Sequence, residues 1–319
     1  MKKILCVLMS CLLFVMAGCS GHSKNLKFGA ADIGGVYYSF ASTFTQLADK
    51  EIDGYTFETK TTAGSVANLR LISDGYIDLA IVQADLLSDA YNATGTFADK
   101  KYQKGYKAVA SLYTECCQIV VRKDSGITGI DDLINKTVSV GASESGTEKN
   151  AEQILKMSGI TDELINKVNM DYTEAAEKLK AGEIDAFFCT AGTRTEVIGQ
   201  LSKECDICLI SLDDKCIDKM LSAYSLCEKY TIPAGTYNGQ DSDVTTIGVK
   251  AVLIAKQSLS DDVIKNMTKT IYEHADDFKY ATSLDISFDI NTAADGVDIP
   301  FHSGAAAYYT ERGINVLTE

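Results

Sequence analysis

Three short stretches place glycines and hydroxyls where a helix is expected to begin. They are Asp32-Ile33-Gly34-Gly35-Val36-Tyr37-Tyr38, Thr62-Ala63-Gly64-Ser65 and Ser143-Glu144-Ser145-Gly146-Thr147. The first turn of a helix has unpaired N–H groups and the positive end of the helix dipole, so it binds an anion without a basic residue. Glycine admits close approach to the backbone. Each turn alone also reads as plain N-capping by Ser65 or Ser145; three in one chain point to a site. The stretch from Gly141 to Glu148 begins like a phosphate-binding loop, with Gly141 and Gly146 correctly spaced. Thr147 and Glu148 then stand where Lys and Ser or Thr are required. The expected cargo is a small carboxylate, not a nucleoside triphosphate.

Catalytic and metal chemistry have less support. The chain contains neither G-x-S-x-G nor S-x-x-K. Its three histidines, His22, His274 and His302, form no H-E-x-x-H. His302 would be the partner in a Cys-His pair, but it reads better as a polar residue at a helix start. Cys205-x-x-Cys208 invites a zinc or redox reading. The neighbouring Ile207, Leu209 and Ile210 instead predict a buried strand across both cysteines, which would turn the thiols to opposite faces. No metal and no cofactor is expected. Tyr37 or Tyr38 would line a cleft or pack on the core. Arg194 follows a strand end, where it would grip a second carboxylate or stand at the surface.

The elements that must position these residues follow from periodicity. Strands are expected over 26–29, 55–61, 79–82, 109–112, 119–122, 137–140, 167–171, 186–189 and 244–255. Helices are expected over 36–49, 65–73, 146–157, 173–181, 260–274 and 303–312. This alternation predicts α/β architecture with mostly parallel sheets covered on both faces. The unit Gly75-Tyr76-Ile77-Asp78 recurs as Gly182-Glu183-Ile184-Asp185. In each copy a glycine can end a helix in the left-handed conformation. The strand that follows ends in Gln83-Ala84-Asp85 or in Thr190-Ala191-Gly192. Ligands of open α/β sheets bind beyond such strand ends, so two facing units would enclose a cleft.

At the N-terminus, Lys2 and Lys3 precede an apolar run over 4–16, then Met16-Ala17-Gly18-Cys19. This is the pattern of a secretory signal over 1–18 with a bacterial lipoprotein box. Cys19 would carry the lipid, and 19–25 would be a linker. The run is too short to span a bilayer as a helix. The net charge of −14 argues against nucleic acid. With 319 residues, 46% of them apolar, the chain can fill two domains.

Ordered segments through nearly the whole chain carry a resemblance. They are "GGVYY", "TAGSVANLRLISDGYIDLAIVQAD", "SLYTECCQIVVRKDSGI", "VSVGASESGTE", "AGEIDAFFCTAG", "TIPAGTYNGQDSDVTTIGVKAVLIA" and "IPFHSGAAAYYTERG". Together they resemble the TAXI-type substrate-binding proteins of TRAP transporters. The resemblance implies a type II periplasmic-binding-protein fold, in which two α/β domains close on a ligand without catalysis. Domain I would comprise 26–117 and 245–319, domain II 118–244, with crossings near 117–122 and 245–255. Glutamate, glutamine or a dicarboxylate such as 2-oxoglutarate is the implied ligand. Implied contacts are Gly35, Tyr38, Ser65, Asn68, Gln83, Ser145, Gly146, Thr147, Ala191 and Gly192. Arg194 stands where the family carries proline, and Cys116 and Cys117 stand where proline is common. A TRAP permease is the implied partner, with an ABC importer as the alternative. The lipid on Cys19 would hold the receptor at an extracytoplasmic membrane face.

Overall fold

The computed structural model describes residues 23–99, 102, 105–283 and 288–319. The expected signal and lipidated Cys19 lie outside the described residues. From the start of the described chain, β1 (Lys24–Gly29), α1 (Val36–Glu51), β2 (Tyr55–Lys60), α2 (Ser65–Ser73), β3 (Leu79–Gln83) and α3 (Ala84–Asn92) build one half. A long strand, β4 (Tyr106–Arg122), leads into the other. There β5 (Thr137–Ser139), α4 (Gly146–Ser158), β6 (Asn166–Val168), α5 (Tyr172–Ala181) and β7 (Ala186–Ala191) repeat the alternation. They are followed by α6 (Glu196–Glu204), β8 (Ile207–Leu209), α7 (Asp214–Ala223) and β9 (Cys227–Ile232). A second long strand, β10 (Val244–Lys256), returns, and α8 (Asp261–Glu273), α9 (Ala275–Thr282) and α10 (Ser303–Thr310) complete the first half.

The strands form one sheet in the order β2-β1-β3-β10-β4-β7-β5-β6, with β8 beside β4 and β9 beside β10. The expectation of mostly parallel pairing is corrected here. Pairs β1–β2, β1–β3, β5–β6 and β5–β7 are parallel, but every pair that includes β4 or β10 is antiparallel. The chain crosses between its halves along β4 and β10, and these run against their neighbours. A second correction concerns 109–112 and 119–122, which belong to one strand. Glu115 and Gln118 look like a polar break, yet both are buried and hydrogen-bonded to other side chains. A third concerns Cys205: it caps the end of α6, and the strand begins at Ile207. No helix is expected from periodicity at α3, α6, α7 or α9, all of them ten residues or fewer.

Packing follows the apolar stripes. Val36, Tyr37, Phe40, Phe44 and Ala48 are the buried face of α1. Phe44 meets Phe28 and Phe57 edge-on, at 5.6 and 5.9 Å between centroids, a favourable aromatic geometry.

The repeated Gly-x-Ile-Asp unit serves the same purpose twice. Gly75 and Gly182 adopt φ of 82° and 74° and end α2 and α5. Then Asp78 N donates to Lys27 O and Asp78 Oδ2 accepts from Lys27 N, at 2.8 and 3.0 Å. In the other half, Asp185 does the same to Thr137, at 2.8 Å for both bonds. Each aspartate registers its strand against the parallel neighbour.

Asn68 has a comparable structural role. It is fully buried. Its Nδ2 lies 2.7 Å from Ala30 O, 2.9 Å from Ile81 O and 3.3 Å from Gly29 O, and its Oδ1 accepts from Thr62. Replacing Asn68 by Ala strands buried carbonyls. Denaturant unfolding of Asn68→Ala is expected to show a loss of about 1–3 kcal/mol; an unchanged midpoint and slope would contradict this assignment.

Candidate functional site

A cavity of about 410 Å³ lies between the two halves. Residues at or just beyond the C-terminal ends of β1, β2, β3 and β7 reach it, as do the first turns of α1, α2, α4 and α5. This is where an open α/β sheet is expected to place a ligand.

Glu115 of β4 reaches it from the sheet. The residue is 3% exposed, and Tyr37 OH donates to its Oε2 at 2.8 Å. Burial pushes the carboxyl up to about 8. Hydrogen bonds from Tyr37 and Gln83 oppose that rise, and the charge of Asp85 adds to it. At pH 7 Glu115 is therefore largely protonated. Asp32 is also raised, first by burial and then by the charge of Asp171.

The glycine- and serine-rich turns shape the walls. Gly64 has φ of 121°, and a Cβ there would meet Ser145 Cα at 3.4 Å. Ser65 Oγ accepts from Gln83 N at 3.1 Å. Ser145 caps α4 by accepting from Glu148 N at 2.9 Å, while Gly141 and Glu144 supply the positive φ of the turn. Thr147 Oγ1 accepts from Thr190 N at 3.2 Å and lies 2.6 Å from Tyr172 OH, which donates to Thr190 O at 2.9 Å. The hydroxyls of Ser65, Ser145 and Thr147 are thus already engaged. The first N–H groups of α2 and α4 have no intrahelical acceptor, and Ser65, Gly146 and Thr147 border the cavity.

The two halves touch around this space. Arg70 of α2 pairs with Glu144 through Nε–Oε1 at 3.2 Å and Nη2–Oε2 at 2.7 Å. Ala67 N donates to Glu144 O at 3.0 Å. Gln83 Nε2 donates to Asn150 Oδ1 at 3.0 Å. These contacts join the two halves across the cleft.

Of the sequence-derived residues, Gly35, Ser65, Gln83, Ser145, Gly146, Thr147 and Ala191 line the cavity. Tyr38 is partly buried and off the lining; its neighbour Tyr37 faces Glu115 instead. Asn68 is occupied by backbone carbonyls. Gly192 O accepts from Thr195 Oγ1, and Arg194 is exposed at φ of 67°; neither lines the cavity. Glu115, Asp171 and Tyr172 also line it and do not emerge from the motifs; Asp32 and Thr190, which open two of those stretches, line it as well. The one available signal for Glu115 was a carboxylate within an otherwise buried run, "SLYTECCQIVV".

A family profile described as the NMT1-like family matches residues 28–313. The periplasmic binding protein BugD is structurally similar at 11% identity and TM-score 0.55, over 81% of this chain and 85% of that one. A putative L-cystine ABC transporter from Listeria monocytogenes shares 14% identity over 82% of this chain and 94% of its own, with TM-score 0.52. An ancestral arginine-binding protein bound to arginine shares 15% over 82% and 98%, with TM-score 0.50. The fold is that of the periplasmic binding proteins.

The Arg70–Glu144 contact predicts a salt-sensitive clasp. Both side chains are partly exposed, so screening limits the pair to about 0.5–1 kcal/mol. Arg70→Ala is expected to weaken ligand binding two- to fivefold at low salt, by about that energy. The difference should shrink at ~0.5 M salt; equal affinities of both proteins at low salt would refute the clasp.

Proposed function

This chain belongs to the NMT1-like family, and we propose that it is an extracytoplasmic solute receptor that closes on a small carboxylate and delivers it to a TRAP-type membrane permease. One observation carries the reading: a cavity of solute size lies between two halves of the sheet, with the N-termini of α2 and α4 at its wall. The solute carboxylate would sit against the first N–H groups of these helices, where the dipole favours negative charge. Because the hydroxyls of Ser65 and Thr147 are used within the protein, backbone groups would do most of the anion binding.

The moving bodies would be 26–117 with 245–319, and 118–244. They would pivot where β4 and β10 pass between the halves. β10 slips register against β4 at Ala251/Val252 and at Leu253/Ile254; such irregularities bend a ladder locally. Binding would favour the closed form by adding contacts that exist only when both walls meet. A signal over 1–18 and a lipid on Cys19 would keep the receptor beside its permease. No helix among the described residues is long and apolar enough to cross a membrane.

The test is a thermal shift on the protein after unfolding and refolding, which removes any ligand carried through purification. Glutamate, glutamine, aspartate, succinate and 2-oxoglutarate are the probes. A binder at large excess over its Kd is expected to stabilise the fold by about 3–4 kcal/mol, several degrees in Tm. The rise should vanish in Thr147→Glu, which puts a carboxylate at the anion seat. A refolded protein that responds to no small solute would sink the receptor reading.

A further inference from the structure

The cavity offers no cation to the anion it would hold. Among the described residues its lining contains no lysine, arginine or histidine, yet it contains Asp32, Glu115 and Asp171. We infer that Glu115 completes the anion seat as a neutral acid, donating its O–H to the solute carboxylate so that the two carboxyl groups share one proton. This rests on the receptor reading above and adds to it how the charge is held and how pH acts on it.

Geometry puts Glu115 at the seat. Its carboxyl is linked to the first residue of each of the two helices proposed to hold the anion. On one side, Tyr37 OH donates to Glu115 Oε2 at 2.8 Å. The same phenol interacts with the side chain of Ser65, the first residue of α2. On the other side, Gln83 hydrogen-bonds Glu115. The Gln83 amide in turn packs against Gly146, the first residue of α4. An anion resting on the first N–H groups of α2 and α4 therefore comes up against the Glu115 carboxyl. Two ionised carboxylates in contact inside a protein repel strongly, and carboxyl groups that share a site keep a proton between them. That proton turns the contact into a charge-assisted O–H···O⁻ bond, stronger than a bond between neutral groups.

No neighbour offsets an ionised Glu115. Facing it are Tyr37 from α1, Gln83 from β3, Asp85 from α3, Tyr113 and Cys116 on its own strand, Tyr172 from α5 and Cys189 from β7. None of them is positive. On β10, Val249 stands opposite Glu115, and the next residue, Lys250, is engaged elsewhere, with Thr114 at 2.8 Å and Glu228 at 3.6 Å. Burial raises Glu115 to about 8, so below that pH the acid is already in place. A seated anion raises it further. Above pH 8 the unliganded receptor has lost the proton, and binding must take it back from solvent. Affinity is therefore level below about pH 8 and falls as pH rises beyond it, with one proton taken up per site.

The experiment is calorimetric titration of the refolded protein with succinate, 2-oxoglutarate, L-glutamate and L-glutamine, from pH 6 to 9, in buffers of different ionisation heat. For a probe that binds, the expected affinity is constant to about pH 7.5 and then declines, approaching a tenfold loss per pH unit. Proton uptake should climb from near zero at pH 6 to close to one per site at pH 9. Glu115→Gln offers an N–H donor that cannot ionise, and should abolish both the decline and the uptake. Glu115→Ala removes the donor and should weaken binding at least about tenfold at pH 7, by the loss of a charge-assisted bond. Should either variant fail to fold, the proton count of the wild-type protein decides alone. If the wild-type protein releases protons on binding, or exchanges none over the whole range, the neutral-acid seat is overturned and the receptor reading stands. If no probe binds, the receptor reading falls and the seat falls with it.

Discussion

The pairing of β4 with β10 is the constraint on which the remaining architecture depends. These two antiparallel strands lie at the centre of the sheet. Each bonds to elements of one half along part of its length and of the other half further on. β10 meets β3 at one end and β9 at the other, while β4 passes from β10 to β7 and β8. Their close approach shows at Gly248, where a Cβ would stand 2.7 Å from Thr114 Cγ2; glycine in a strand marks such a place. A residue near the middle of β4 is covered by both halves together. That is why Glu115 is buried although it is charged by type, and why the cavity opens beside it.

How much of this was legible in the sequence depends on the range of the interactions. The Gly-x-Ile-Asp repeat was readable, because a left-handed helix stop and a following buried strand are local patterns. Helices with a full apolar stripe, such as α1, were readable for the same reason. β4 was not, because its pattern is broken by Glu115 and Gln118. Their burial is made tolerable by partners from distant segments: Tyr37 for one, Thr195 and Tyr237 for the other. The short helices α3, α6, α7 and α9 offer too few turns for periodicity to separate from loops. Site residues show the same division. Ser65, Ser145, Gly146 and Thr147 could be found from turn chemistry. Asn68 had the right type for a ligand contact, but its side chain is consumed by four internal bonds that only the fold reveals.

Contact between the two halves also explains the distribution of small residues. Gly64 faces Ser145, and Gly146 faces the Gln83 amide, with Cδ at 2.5 Å from where a Cβ would be. The two walls meet backbone against side chain with no room to spare. Glycine at these places is a requirement of contact between the halves, whereas at Gly75 or Gly182 it is a requirement of backbone conformation. Composition alone does not separate the two uses.

The seven cysteines of the described chain are all unpaired, and five are buried. Burial raises Cys116 and Cys189 well above the ordinary thiol range and Cys117 to about 12; Cys216 and Cys227 are raised as well. Thiolate, not thiol, attacks disulfides and peroxides. A protein interior that suppresses the thiolate therefore acts as an antioxidant in its own right. It makes these sulfurs slow to oxidise or exchange by kinetics, without help from a reducing compartment. Among the described cysteines, only Cys205 and Cys208, which are partly exposed, are left within reach of an external oxidant while the fold is intact.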